Sequence, residues 1–206
     1  VSPYGLSKWA GELYCRKWEE LYGLNTLCLR FSNVYGPRQG NSGEGGVVSI
    51  FVERALDGKE LNIYGDGKQV RDFIYVRDVA DAIYRASCSG ITGVYNLSTC
   101  HETSVLELAG LLEELHGPLK LRFQEKRPGD IDRSSLDNQA IRRDLDWAPR
   151  YGLAEGLKHT YEWKIEQRAQ ASKEHSGKKS AARPFSQLKS WLPYAENLAL
   201  FAVTAW

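Results

Sequence analysis

The sequence predicts an α/β fold, and three observations carry that prediction. Segments with helical periodicity alternate with short apolar runs of strand type. Turns carrying Gly or Pro separate most of these segments. The 206 residues are 42% apolar and 26% charged, the balance of a chain that buries a core. That composition excludes wholesale disorder, collagen-like repeats and a polytopic membrane protein. With 27 Lys+Arg against 26 Asp+Glu it also excludes a chain-wide basic surface for nucleic acid.

The elements follow in order. Residues 4–22 read as a helix that Gly23 ends as a C-cap. TLCLRF, residues 26–31, reads as a short buried strand, stopped by Gly36-Pro37. A loop rich in Gly spans 40–46, and helix returns over 49–56, closed by Asp57-Gly58. Residues 61–64 and 70–76 are strand-like, separated by the turn Gly65-Asp66-Gly67. Asp78 is expected to cap a helix running to about Ser87. Residues 94–97 form another strand. Ser104 and Glu107 have capping-box spacing, and Val105, Leu108, Ala109, Leu112 and Leu115 mark one buried helix face after them. Gly117-Pro118 ends that helix. Residues 119–123 are strand-like, and 138–145 and 153–168 are helical. There is no internal repeat.

Charge divides the chain. Residues 1–167 hold 21 basic and 24 acidic residues, and 168–206 hold 6 and 2. The first part reads as a packed α/β unit over 1–167. Residues 168–190 read as a basic linker with little to bury. Residues 191–206 form an apolar tail ending LALFAVTAW. Nine such residues are too few for a bilayer, which takes about 20. The tail is therefore either a short packing segment or the start of a transmembrane helix, with the preceding lysines as its cytoplasmic flank. Cys15, Cys28, Cys88 and Cys100 show no C-x-x-C spacing and no zinc-finger histidines, so they are expected to be reduced, buried thiols of a cytoplasmic protein, with no metal site. No methionine is present, and no signal-peptide core follows Val1, so a fragment is the expected reading.

Tyr4 and Lys8, in SPYGLSK, are one helical turn apart and share a face. Taken alone, the spacing favours a surface tyrosine beside a solvated lysine. An ammonium near a phenol favours the phenolate. A phenolate can remove a proton from a sugar hydroxyl while hydride leaves the same carbon.

RFSNVYGPRQ (30–39), YGDGKQVRDFIYV (64–76) with RDVADA after it, KRPGD (126–130) and GLAEGLKHTYEW (152–163) accompany SPYGLSK. In this order and at these separations they closely resemble the extended short-chain dehydrogenase/reductase family. The nearest subgroup is the NAD-dependent nucleotide-sugar epimerases of the UDP-glucose 4-epimerase type. The resemblance covers residues 1–167. It implies the C-terminal part of a Rossmann-like NAD(P)-binding domain plus a smaller substrate-binding α/β region. It also implies an isomerase that epimerises C4 of a UDP-hexose through a 4-keto intermediate, and a homodimer when intact.

The resemblance assigns roles position by position. Tyr4 would be the catalytic base and acid, and Lys8 would hold the nicotinamide ribose. Asn33 would bond the substrate diphosphate, and Gly46 and Val47 would contact the nucleotide-sugar through their backbone. Ile63 and Tyr64 would lie along the uracil. Arg71 and Arg127 would grip the diphosphate and ribose, and Asp130 would accept from ribose hydroxyls. The chemistry agrees, because planar guanidinium groups bind phosphate oxygens bidentately. Each residue also has a plainer reading: a strand-end ion pair for Arg71 with Asp72, a solvated loop residue for Arg127, a turn residue for Asn33.

The family's Gly-rich NAD-binding turn and its Ser/Thr partner of the tyrosine lie upstream of that tyrosine. Here three residues precede Tyr4, so the chain as it stands is expected to bind NAD poorly. Ser32 stands where many relatives carry an aromatic residue. The rival enzymatic reading is a nucleotide-sugar 4,6-dehydratase or decarboxylase of the same family. The rival of another class is a non-catalytic nucleotide-binding or scaffold protein on this fold.

Overall fold

The computed structural model describes residues 3–40, 46–176 and 199–204. The middle of the expected glycine loop, most of the expected linker and part of the expected tail (41–45, 177–198 and 205–206) lie outside the described residues. The chain runs α1 (Pro3–Tyr22), β1 (Thr26–Phe31), β2 (Asn33–Tyr35), α2 (Val47–Leu56), β3 (Leu61–Tyr64), β4 (Val70–Tyr75) and α3 (Val76–Ser89). It continues with β5 (Gly93–Leu97), β6 (Glu102–Ser104), α4 (Val105–His116), β7 (Leu121–Gln124), β8 (Arg133–Ser134), α5 (Gln139–Leu145), α6 (Leu153–Ser176) and β9 (Ala199–Thr204). The α/β expectation holds.

β1 is the middle strand of a parallel sheet ordered β5-β1-β9. Five of the six residues of its TLCLRF run are buried, with Leu27, Leu29 and Phe31 on one face and Thr26, Cys28 and Arg30 on the other, because a parallel strand is covered on both faces. β9 pairs with it in register from Thr26↔Ala199 to Phe31↔Thr204. The described part of the tail is thus a strand on a sheet edge, which corrects the transmembrane-helix alternative for those residues. Among the described residues no helix is long and apolar enough to cross a membrane.

β4 is shared by two cores. Phe73 and Tyr75 face a cluster built by α2, β3, α4 and Leu157 of α6. Ile74, on the opposite face, joins Leu27, Leu29, Phe31, Val79, Ala82, Leu97, Ile141 and Trp147. The alternation follows the period-2 geometry of a strand. β2 pairs with β4 in parallel (Asn33↔Phe73), and β6 and β8 pair with its first half. β3 pairs with β7 in parallel. The turn into β4 needs Gly67, at φ 74°; a Cβ there would meet Leu106 Cγ at 2.6 Å and Ile63 Cγ2 at 2.8 Å.

The Ser104 capping box forms as expected: Glu107 N donates to Ser104 Oγ at 3.1 Å and Ser104 N to Glu107 Oε2 at 2.7 Å. Asp78 does not cap. The N-cap of α3 is Tyr75, and the Asp78 carboxylate instead accepts from the backbone N–H of Arg150 (2.9 Å) and Tyr151 (3.2 Å). Burial raises its pKa, opposed by those two bonds. α6 runs on to Ser176, beyond the helix end expected at 168. Within it, Arg168 pairs with Asp57 at 2.7 Å and Glu53 at 3.4 Å and holds the helix against α2.

Cys15 and Cys28 are buried together between α1 and β1, as expected, whereas Cys88 and Cys100 are exposed, which corrects the expectation of burial for those two. Burial pushes the Cys28 thiol up to about 12, and the Cys15 side chain adds to this. Reactivity requires the thiolate. Iodoacetamide at neutral pH is therefore expected to label Cys88 and Cys100 in the native protein and to reach Cys15 and Cys28 only after unfolding, as peptide mass spectrometry would read.

Candidate functional site

The first group of sequence-predicted residues is built on α1. Gly5, Glu12 and Cys15 form its buried face. Glu12 fixes that face to the sheet by a bidentate pair with Arg30 of β1, at 2.7 and 2.6 Å. Lys8 lies on the same stripe, half-buried, and its Nζ sits 5.0 Å from the centroid of the Tyr4 ring. Tyr4 is 45% exposed at the start of the helix. The sequence-predicted pair is therefore brought together at an open edge.

The second group surrounds a cavity of about 290 Å³. Its wall includes Asn33 of β2, Val47 of α2, Tyr64 of β3, Arg71 of β4, and Arg127 and Asp130 of the loop after β7. Six of the sequence-predicted residues converge there from five separate segments. Arg71 Nη2 pairs with Asp130 Oδ1 at 2.9 Å, and Arg71 Nη1 donates to Ile131 O at 2.6 Å and Val70 O at 2.9 Å. The Arg127 guanidinium lies 3.6 Å from the Tyr64 ring centroid, a cation–π contact that leaves its edge free to donate. Arg71 is therefore not paired with its neighbour Asp72.

Asp72 holds the junction behind the cavity. Its carboxylate is fully buried. It accepts from Ser32 Oγ (3.2 Å), Thr99 Oγ1 (2.7 Å), Thr99 N (3.0 Å) and Cys100 N (2.9 Å). Its main-chain oxygen accepts from Asn33 Nδ2 at 3.3 Å. Ser32 is thus turned into this junction, not toward the cavity.

Two predicted residues are placed differently. The Ile63 side chain is fully buried in the core, so β3 offers the cavity Asn62 and Tyr64 instead. Gly46 is the N-cap of α2, beside the cavity but not in its wall. Tyr4 and Lys8 do not line this cavity either. Ile50, Phe51, Arg54, Asn62, Gln69 and Val105 complete the wall and were not anticipated. The signal for four of them was available. Ile50, Phe51 and Arg54 lie three, four and seven residues after predicted Val47, the helical spacing of one face. In LNIY, apolar Leu61 and Ile63 alternate with Asn62 and Tyr64.

The model of the family described as "NAD dependent epimerase/dehydratase family" matches residues 1–98. A UDP-glucose 4-epimerase of Mycolicibacterium smegmatis is 42% identical over 165 residues, which is 79% of this chain and 53% of that protein. A dTDP-glucose 4,6-dehydratase of Neisseria gonorrhoeae is 36% identical over 180 residues, 80% of this chain and 51% of that protein. Among solved structures, a UDP-glucose 4-epimerase of Thermotoga maritima, determined with UDP-glucose, superposes with a TM-score of 0.78 at 41% identity. That match covers 82% of this chain and 55% of that one. The chain spans about half the length of the curated relatives it matches.

Proposed function

Because this chain belongs to the NAD dependent epimerase/dehydratase family, we propose that the intact protein is a nucleotide-sugar 4-epimerase. Its substrates would be UDP-hexoses such as UDP-glucose and UDP-galactose, interconverted through a 4-keto intermediate. The observation that carries this reading is the convergence of Asn33, Arg71, Arg127 and Asp130 on one cavity. Guanidinium groups suit a diphosphate, and a carboxylate suits vicinal ribose hydroxyls.

The Tyr4–Lys8 pair fits the ribose and nicotinamide of NAD, with an ammonium beside a phenol at an accessible helix start. NAD, when bound, supplies the hydride acceptor and donor for C4. Tyr4 takes the hydroxyl proton of the sugar and later returns it, and Lys8 orients the ribose. Arg71, Arg127 and Asp130 hold the nucleotide while the hexose turns. Charged contacts thus belong on the nucleotide and not on the sugar. The exposed apolar side chains of α1, among them Trp9, Leu13 and Trp18, support a homodimer in the intact protein.

The intact protein with NAD is expected to convert UDP-glucose to UDP-galactose, read by chromatography of the nucleotide-sugars. The dehydratase relatives support a second reading, in which the same assay yields a 4-keto-6-deoxy sugar instead. Turnover of neither kind, with acetamido and uronic acid sugars also inert, sinks the enzymatic reading and leaves the scaffold one.

A further inference from the structure

α6 is seated at two places along its length. Near its start it lies on β2 and β4. Leu157 is buried in the core with Phe73 and Tyr75, and Tyr35 Oη donates to Leu153 O at 3.3 Å. A Cβ on Gly156 would come within 2.2 Å of Tyr35 Oη, so the helix backbone approaches that tyrosine closely. Two to three turns on, Lys164 and Arg168 reach α2. Lys164 Nζ pairs with Glu53 Oε2 at 2.9 Å. Arg168 Nη2 pairs with Glu53 Oε1 at 3.4 Å and Asp57 Oδ1 at 2.7 Å, and donates to Glu53 O at 3.4 Å. Lys59 and Arg168 hold the Asp57 carboxyl below its usual range. The four paired side chains are all partly buried. The sequence places Arg168 at the start of a basic linker; the structure makes it a helix residue with two carboxylate partners.

Val47, Ile50, Phe51 and Arg54 of α2 line the cavity, and Glu53 itself is not in its wall. Glu53 is one position from Arg54, about 100° around the helix. α2 therefore meets the cavity on one face and α6 on another. A further face is packed in the core through Val48, Val52 and Ala55. Apolar contacts are non-directional, so they set how deep the helix lies and not its roll. Ion pairs at one point on the helix set the roll. Resting on the nucleotide-sugar reading above, we propose that Glu53 is a positioning residue. Held by Lys164 and Arg168, it fixes the roll of α2 relative to β2 and β4, which contribute Asn33 and Arg71 to the same cavity. α6 is seated on both sides, so it gauges one set of cavity residues against the other.

The test is steady-state kinetics of the intact protein with NAD on UDP-glucose, beside calorimetric titration with UDP and denaturant unfolding. E53Q keeps the shape of the side chain and loses its charge. In it, KM for UDP-glucose and the dissociation constant of UDP are expected to rise together by about 5-fold, within the range by which residues off a ligand modulate its affinity. kcat should hardly change, because Tyr4 and Lys8 stand on α1. R168M is expected to behave as E53Q does, and R168K, which keeps the cation, to recover most of the wild-type KM. K158M removes a pair that α6 makes with its own Glu162 at 3.9 Å, and should leave KM unchanged. A purely structural role lowers the unfolding midpoint and the active fraction, which reads as a fall in kcat at wild-type KM. Wild-type KM and UDP affinity in E53Q overturn the assignment, as does an equal rise in K158M. Where UDP-glucose is not turned over but UDP is bound, the UDP titration alone decides between these outcomes. A wild type that neither turns over UDP-glucose nor binds UDP overturns the nucleotide-sugar reading itself, and this assignment with it.

Discussion

Tyr4→Phe in the intact protein is expected to lower kcat by about a hundred- to ten-thousand-fold, the usual contribution of a positioned acid–base group. The substitution removes one oxygen and keeps the ring. The ring's contact with Lys8, at 5.0 Å, therefore survives, and α1 stays anchored by the Glu12–Arg30 pair. Nucleotide-sugar binding should hardly change, because the charged contacts lie in the cavity, whose wall does not include Tyr4. The signature is thus a fall in kcat with KM nearly constant. A variant that turns over at the wild-type rate would remove Tyr4 from the chemistry.

Asp72→Ala is expected to destabilise the protein by about 3–5 kcal/mol, measured by denaturant unfolding. Four donors converge on its carboxylate, two of them backbone N–H groups of Thr99 and Cys100. Alanine leaves them in a buried site without an acceptor. Cys100 also holds φ at 58°, a conformation that non-glycine residues adopt only when their surroundings fix it. Asparagine is not a full rescue. Asp72 Oδ1 serves three donors and Oδ2 serves Cys100 N, so an amide would turn a donor toward one of them. Unfolding at the wild-type midpoint in Asp72→Ala would show that water replaces the carboxylate without cost.

The features legible in the sequence are those written locally. The capping box of Ser104 and Glu107, the C-cap at Gly23 and the buried strand TLCLRF each depend on a few adjacent residues. β2, β6 and β8 span three, three and two residues, too few to show a period, and exist only through pairing with β4. Asp78 has a cap's chemistry, but its partners stand more than seventy residues on, at Arg150 and Tyr151. In the candidate site, motif resemblance named the arginines and Asp130. It did not name Arg54, which the fold brings to the cavity wall by setting the end of α2 beside β3. The Ile63 side chain turns into the core and not into the cavity, because a motif fixes position along a strand, whereas the pleat decides which side chain faces the cavity.

The placement of β4 between two cores has a consequence for unfolding. Removing either core would strip one face of the same strand: Ile74 on one side, Phe73 and Tyr75 on the other. Neither half can then melt while the other keeps its native neighbour, so the two behave as one cooperative unit. Hydrogen exchange at the β4 amides should report the global opening free energy from both sides at once. A core substitution such as Leu112→Ala, on α4, should speed exchange in β1, which it does not touch.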